Sequence, residues 1–209
     1  MNNFLKRDIK NVRNRCPLLA TRTETKQTFL EGEIEFLDTN SKVCDSFFIN
    51  IQIPETYPNC FPKVYETEKR IPRIPDRHIN PGGEFCLTVE QVQQISVQKG
   101  IDILLFIDKF VVPFLSNQIF YELYGYFPEE YQHGKEGIIQ FLQETLSTNN
   151  STVIKAALSL SKKRTEWPGR NEKCFCESGL KFKKCHWSAI IVFYLLPKDA
   201  IEKYIKIME

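Results

Sequence analysis

Residues 46–54 have the sequence SFFINIQIP, in which aromatic and branched residues alternate with polar ones until a proline ends the run. Alternation with a period of two is typical of a β-strand that buries one face. The same alternation occurs in 28–38, TFLEGEIEFLD, and more briefly in 63–68, KVYETE. Because turn-forming residues separate the three segments, the sequence predicts consecutive antiparallel strands, a meander.

A helix is predicted before these strands. Apolar residues between 4 and 19 recur at spacings of four, three, four and three, which is one face of a helix: Leu5, Ile9, Val12, Cys16 and Leu19. The other faces carry five basic residues: Lys6, Arg7, Lys10, Arg13 and Arg15. Such a basic surface is either simply solvated or a docking surface for a partner, and the sequence leaves both interpretations open.

Proline and glycine divide the rest of the chain. Six prolines between 54 and 87 predict extended segments and turns there rather than a helix. Residues 100–126 have helical apolar spacing, with a kink or break predicted at Pro113. Residues 134–146 and 151–163 predict two more helices, and Pro197 is placed to begin a last one.

The bulk composition narrows the function classes. The 209 residues are 42% hydrophobic, which allows a full core. Because 28 basic residues nearly balance 26 acidic ones, no overall positive electrostatic field predicts a nucleic-acid partner. Seven cysteines, an odd number, do not form a disulfide framework. The first residues lack a long apolar stretch and the apolar run 189–196 is too short to span a bilayer, so we expect a cytoplasmic protein with no membrane partner.

Three of the cysteines lie close together near the end of the chain. Cys174 and Cys176 are separated by one residue, and Cys185 and His186 follow eight residues later. Three thiolates and one imidazole match a closed tetrahedral Zn²⁺ site of the structural kind, which leaves no position for a catalytic water. This pattern resembles the SEC-C motif. The basic residues around it are either solubilising or a contact for an acidic protein or phosphate: Arg170, Lys181, Lys183 and Lys184.

A second resemblance concerns the first part of the chain. The segment FINIQIP at 48–54, the pairs Tyr57-Pro58 and Phe61-Pro62, then His78-Ile79-Asn80 and GEFCL at 83–87 resemble, in order and spacing, the ubiquitin-conjugating-enzyme family. The resemblance covers about residues 1–145. It implies an α+β, UBC-like fold: an N-terminal helix, an antiparallel β-meander, an extended active-site segment and C-terminal helices, followed here by the zinc-binding module.

The same resemblance implies a reaction. Cys86 would be the nucleophile that forms a thioester with the C-terminal carboxylate of a ubiquitin-like or other partner protein, and His78 and Asn80 would belong to the catalytic site. The sequence departs from the family in two places: His-Ile-Asn replaces His-Pro-Asn two residues closer to the cysteine, and the Trp-Ser-Pro that binds ubiquitin ligases is missing from 88–100. A standard ligase partner is therefore not predicted.

The chemistry of the residues agrees with this role. A thiolate is both a good nucleophile and a good leaving group, and Cys86 follows Pro81-Gly82-Gly83, where glycines permit close approach of another backbone. His78 and Asn80 either stabilise an oxyanion or cap turns, and both interpretations remain open. His133, before the glycine at a predicted helix start, is interpreted as a structural histidine.

A third resemblance suggests a biological setting. Residues 112–134 are similar to bacterial relatives in antiphage (CBASS-type) operons, which implies a CD-NTase or cGAS-like nucleotidyltransferase as the protein that supplies the carboxylate, and a separate activating enzyme. The alternative is a UBC-fold adaptor without catalysis that binds a partner through its surface and zinc module. The predicted domains are 1–148, UBC-like with a helical extension, 149–166, a helix and linker, and 167–209, the SEC-C module with a last helix.

Overall fold

The alternating segments form three strands of a four-stranded antiparallel sheet, and the α+β class is confirmed. The strands follow one another in chain order as β1 (Leu19–Glu24), β2 (Gln27–Leu37), β3 (Val43–Ile53) and β4 (Lys63–Glu66). The register pairs Thr28 with Ile53 and shifts between Phe36 and Leu37. Strand β1 was not predicted, because this polar edge strand buries only Leu19.

The computed structural model describes residues 3–25, 27–128 and 134–209. The chain divides into two compact units, Met1–Glu129 and Glu130–Glu209. The predicted domain boundaries at 148 and 166 both lie inside the second unit. Helix α5 (Gly134–Leu146), which the sequence analysis grouped with the first domain, packs on the helices of the second.

The core of the first unit lies on one face of the sheet. Ile49, Ile51 and Ile53 of β3 are fully buried there, as their period-two spacing requires. Helix α1 (Asn3–Arg15) is confirmed and contributes Leu5, Ile9 and Val12 to the same core. The prediction that its apolar face continues to Leu19 is wrong, because the helix ends at Arg15 and Leu19 begins β1. Buried Asp8 of α1 accepts a hydrogen bond from the hydroxyl of Tyr57, which ties the helix to the loop after β3.

One long helical run crosses this core. It consists of α3 (Ile103–Phe106), a π-helical segment (Ile107–Val111) and α4 (Val112–Tyr124). The break predicted at Pro113 is wrong, because the helical run continues through this residue and the wider π turn before it accommodates a residue without an N–H group. The run is long and apolar enough to cross a bilayer by length and composition, with a mean hydropathy of 1.5, and several of its apolar side chains are buried in this core: Ile103, Phe106, Ile107, Val111 and Leu115.

The π turn also keeps the apolar stripe of this run aligned. The fully buried residues Ile103, Ile107, Val111 and Leu115 are spaced by four. In a pure α-helix of 3.6 residues per turn, residues spaced by four move progressively around the axis. A wider turn in the middle offsets this rotation, so both ends of the run face the sheet.

Two short elements flank Cys86, the predicted nucleophile, along the chain. A single 3₁₀ turn, Pro75–Arg77, precedes it in the proline-rich segment, which otherwise has only β4 as regular structure. Helix α2 (Glu90–Gln98) follows it and was not predicted, because only Gln91 and Ile95 of this polar segment are buried.

The second unit is helical. Its helices are α5 (Gly134–Leu146), α6 (Ser151–Ser161), α7 (Trp187–Tyr194) and α8 (Lys198–Met208), with 3₁₀ turns at Arg164–Glu166 and Phe182–Lys184. The predicted helices at 134–146, 151–163 and after Pro197 are confirmed within two residues. The Asn150 side chain caps α6 by accepting from the Thr152 and Val153 N–H groups. Apolar residues from all four helices are buried, including Phe141, Leu158, Phe193 and Tyr204.

Candidate functional site

The segment that carries Cys86, the predicted nucleophile, is a short β-hairpin. Ile79 pairs with Phe85 across it. The Cys86 N–H group donates to the His78 carbonyl at 2.8 Å, and the Gly83 N–H group donates to the Asn80 carbonyl at 2.8 Å. His78 and Cys86 therefore lie opposite each other at the open end of the hairpin, and Asn80 begins its turn.

The hairpin is anchored on the core of the first unit. The Phe85 N–H group donates to the Val64 carbonyl at 2.8 Å, and the Phe85 ring stacks on Phe114 with centroids 4.3 Å apart. Ile79 and Phe85 are both buried. Cys86 follows directly and is half-buried, so its thiol group lies beside a rigid wall and keeps some access to solvent.

The turn of the hairpin requires glycine at one position. Gly83 has φ +87°, a left-handed conformation that side chains rarely adopt, and the Arg73 guanidinium carbon would lie 3.3 Å from a Cβ there. The glycine therefore allows the Arg73 side chain to pack directly on the turn. Within the described residues the Asn80 side chain makes no hydrogen bond, so its amide group is not committed to holding the turn.

His78 occupies a strained position. It caps the preceding 3₁₀ turn with φ 53° and ψ 39°, and its ring meets Phe127 edge-on at 5.1 Å. A non-glycine residue held in this region is a candidate for function, because surrounding contacts must maintain it. His133 lies outside the described residues.

Arg77 fixes the backbone next to His78, and the sequence analysis missed it. Its Nε–H group donates to Gln118 Oε1 at 2.8 Å, while Gln118 Nε2 donates back to the Arg77 carbonyl at 3.1 Å. The guanidinium lies 4.4 Å from the centroid of the Tyr121 ring and 3.7 Å from Glu122. Arg77 and Gln118 are both buried, so this pair locks the base of the hairpin to α4.

We expect Arg77→Ala to lower the free energy of unfolding of the first unit by about 2–4 kcal/mol, because it removes a buried side chain and leaves the buried Gln118 Oε1 without its donor. The measurement is urea unfolding followed by circular dichroism. The matched control is Arg73→Ala, four residues upstream and exposed, for which a change of about 0.5 kcal/mol or less is expected. Equal losses in both variants would contradict the role given to the Arg77–Gln118 pair.

The second unit contains the metal-ligand cluster that the sequence predicted. The ligand atoms of Cys174, Cys176, Cys185 and His186 all lie within 4.8 Å of one another. Cys174 Sγ is 3.3 Å and Cys185 Sγ is 3.4 Å from His186 Nδ1, and the sulfur atoms of Cys176 and Cys185 are 3.5 Å apart. Four soft or borderline donors converge on one point, which is the arrangement of a metal site.

Local backbone structure brings the four ligands together. The Cys174 N–H group donates to the Leu180 carbonyl at 2.9 Å, and Lys173 pairs with Lys181, so Cys174 and Cys176 lie on a tight loop. Gly179 has φ +75° in this loop. The 3₁₀ turn Phe182–Lys184 places Cys185 and His186 on the other side of the cluster. Phe182, its first residue, is fully buried.

Neighbouring groups orient the ligands. His186 Nε2 is 3.1 Å from the carbonyl of Leu146, the last residue of α5, so this nitrogen donates there and Nδ1 is left to bind a metal. Ser178 Oγ lies 3.3 Å from Cys176 Sγ and 3.5 Å from Cys185 Sγ. Donors around the sulfur atoms stabilise thiolates, the form that binds metals.

Two of the thiols differ in acidity. Burial raises the pKa of Cys174 to about 11. Burial also raises the pKa of Cys176, but hydrogen bonds from the Ser178 side chain and backbone outweigh it and lower this pKa to about 6. Of the Cys174 and Cys176 thiols, it is therefore mainly Cys174 that loses a proton when a metal binds at neutral pH.

The sequence around the four candidate ligands matches a known motif. Residues 170–188 match the SEC-C motif. The match includes all four ligands and the Phe182 turn. The SEC-C motif occupies a small part of the chain, and no curated protein matches the chain.

Proposed function

We propose that the first unit is a ubiquitin-conjugating-enzyme-like acyl carrier in which Cys86 accepts a protein's C-terminal carboxylate as a thioester. The observation that supports it best is the hairpin, where a half-buried thiol lies opposite a strained histidine on a rigid base. The order of helix, four-stranded meander, thiol hairpin and helices is the order that the UBC-like resemblance implies.

The chemistry proceeds by two acyl transfers. The Cys86 thiolate attacks the activated carbonyl of the donor, the S–C bond forms, and the donor's previous leaving group departs. An amine then attacks the thioester carbonyl and displaces the Cys86 thiolate. The Asn80 amide, which makes no other hydrogen bond within the described residues, is available to donate to the developing oxyanion. His78 is the second candidate for this part of the site.

The proposed acyl donor is a protein that ends in a flexible tail with a free carboxylate. The two classes are a ubiquitin-like protein and a CD-NTase or cGAS-like nucleotidyltransferase of an antiphage operon, each activated by a separate activating enzyme. With either donor, the two acyl transfers take place in the reducing cytoplasm, where a free thiol persists.

Intact-protein mass spectrometry tests the proposal. The chain is expressed with its genomic neighbours, and we expect a fraction to gain the mass of one neighbour minus one water. The adduct should disappear after treatment with dithiothreitol, because thiols cleave thioesters. A chain that stays at its own mass with all neighbours and ATP present would contradict the carrier role.

For the second unit we propose that the metal is one structural Zn²⁺ ion. With Zn–S about 2.3 Å and Zn–N about 2.0–2.1 Å, the edges of a tetrahedron are about 3.5–3.8 Å long. Three of the six distances between the ligand atoms are 3.3–3.5 Å and match these edges within a few tenths of an ångström, and all six are within 4.8 Å. Four protein ligands close the coordination shell, so the ion stabilises the fold and takes no part in acyl transfer.

A second function, that of an adaptor without catalysis, has its own support. The SEC-C motif lies in a separate compact unit, and its rim is basic, with exposed Lys181, Lys183 and Lys184. Such a unit could bind an acidic partner while the first unit only provides a surface. The fate of Cys86 variants separates the two functions.

A further inference from the structure

A basic cleft lies in the first unit between α1 and the edge strand β1. It has a volume of about 460 Å³. The helix contributes Lys6, Ile9, Lys10, Arg13 and Asn14, and the strand contributes Thr21 and Thr23. Its polar lining consists only of cationic, amide and hydroxyl groups, with no carboxylate.

Two periodicities build this cleft. Residues 6, 10 and 13 are separated by four and three, so their side chains lie on one face of α1. Residues 21 and 23 are separated by two, so their hydroxyl groups lie on one face of β1. Buried Ile9 lies on the same face of the helix and adds an apolar surface to the cleft.

The positive charge of the cleft is not neutralised by the protein. Within the described residues no carboxylate lies within ion-pair distance of Lys6, Lys10 or Arg13. Arg22, on the opposite face of β1, is by contrast paired with Glu24 and Glu31. Three uncompensated cations in one concave surface create a local positive potential that attracts anions.

A hydroxyl group in the cleft also lacks a partner. Thr21 Oγ1 is buried and makes no hydrogen bond within the part of the chain that the structure describes. A buried polar atom without a partner costs free energy, so a native structure that keeps one usually has a use for it. Thr21 lines the cleft, and rotation about its Cα–Cβ bond would turn this covered hydroxyl group toward an oxygen atom of a bound ligand.

We propose that this cleft binds the phosphate group of a small phosphorylated molecule. A phosphate carries up to two negative charges and three terminal oxygens, which suits three cations and the donors of Asn14, Thr21 and Thr23. The volume exceeds what a lone phosphate needs, so the rest of the molecule packs toward Ile9. This site is separate from Cys86 and does not depend on acyl transfer.

Isothermal titration calorimetry of the full chain with inorganic pyrophosphate tests the proposal. We expect binding at one site per chain that weakens as salt is added. Lys10→Glu should weaken it at least about tenfold, because a charge-assisted hydrogen bond is replaced by repulsion. The matched control is Arg15→Glu, the same charge reversal on the same helix outside this cleft, which should retain affinity within about twofold. Cys86→Ala should bind as the unchanged protein does.

Thr21→Val separates a built site from a charged surface. It removes only the hydroxyl, so we expect several-fold weaker binding of pyrophosphate with no loss of thermal stability, since Oγ1 has no partner to lose. Equal losses in Lys10→Glu and Arg15→Glu, or no effect of either, would overturn the proposal. Binding of a glutamate octapeptide in place of pyrophosphate would overturn it too and assign the cleft to an acidic protein segment.

Discussion

Cys86→Ala is expected to abolish the covalent adduct with the partner's C-terminal carboxylate completely. No other side chain replaces a thiol as both nucleophile and leaving group, so the loss should be at least about a thousandfold in loading rate. The measurement is single-turnover loading with purified activating enzyme, resolved on non-reducing gels. Because Cys86 is only half-buried, the variant should keep its fold, which circular dichroism checks.

Two further variants serve as comparisons for Cys86→Ala in this experiment. Cys86→Ser should form an oxyester that survives dithiothreitol, because an alkoxide is a poorer leaving group than a thiolate. Cys60→Ala removes an exposed thiol of the same unit and should load as the unchanged protein does. If Cys86→Ala kept full adduct formation and full biological activity, the carrier function would be wrong and the adaptor function would replace it.

Loss of the metal is expected to unfold the second unit and leave the first intact. Structural zinc contributes about 10–16 kcal/mol in small peptides, so Cys174→Ser should lower the Tm of the second unit by about 15 °C or more. Cys174 is the buried one of the four candidate ligands. One zinc per chain, measured by plasma mass spectrometry, should fall to near zero.

The chain offers a selective probe for this test. Both of its tryptophans, Trp167 and Trp187, lie in the second unit, so intrinsic tryptophan fluorescence follows that unit alone. Amide hydrogen exchange on β2 and β3 follows the first unit independently. Cys44→Ser, at an exposed position, is the control that should keep the zinc. A metal-free Cys174→Ser protein with unchanged tryptophan unfolding would rule out a structural role for the ion.

The two candidate sites differ in how far the sequence predicts them. The candidate metal ligands span only 13 residues, Cys174 to His186, and thiolate chemistry limits what such a cluster can do, so spacing alone predicts the four residues that the structure brings together. The carbonyl of Leu146 that orients His186 lies 40 residues away, and no local pattern indicates it. Ligand identity is a local property of the sequence, whereas ligand orientation depends on tertiary packing.

The hairpin that carries Cys86 also has local features that the sequence predicts and long-range contacts that it does not. Glycines and the flanking prolines predict an extended segment with room at Cys86, and the structure has a hairpin there. The reciprocal Arg77–Gln118 hydrogen bonds join residues 41 positions apart, so they appear only after α4 has packed. Strand β1 and helix α2 were missed for another reason, because each buries few side chains and therefore has almost no hydrophobic period.

The π-helical segment Ile107–Val111 sets the rotational phase of everything that follows it in the helix. Gln118, Tyr121 and Glu122 meet Arg77 only because the extra width of that turn brings their side of α4 to the hairpin. The π turn accommodates one extra residue, so a regular α-helix of unchanged length would turn these three side chains by about 100° around the axis. The π turn therefore determines which side chains hold the base of the hairpin beside Cys86.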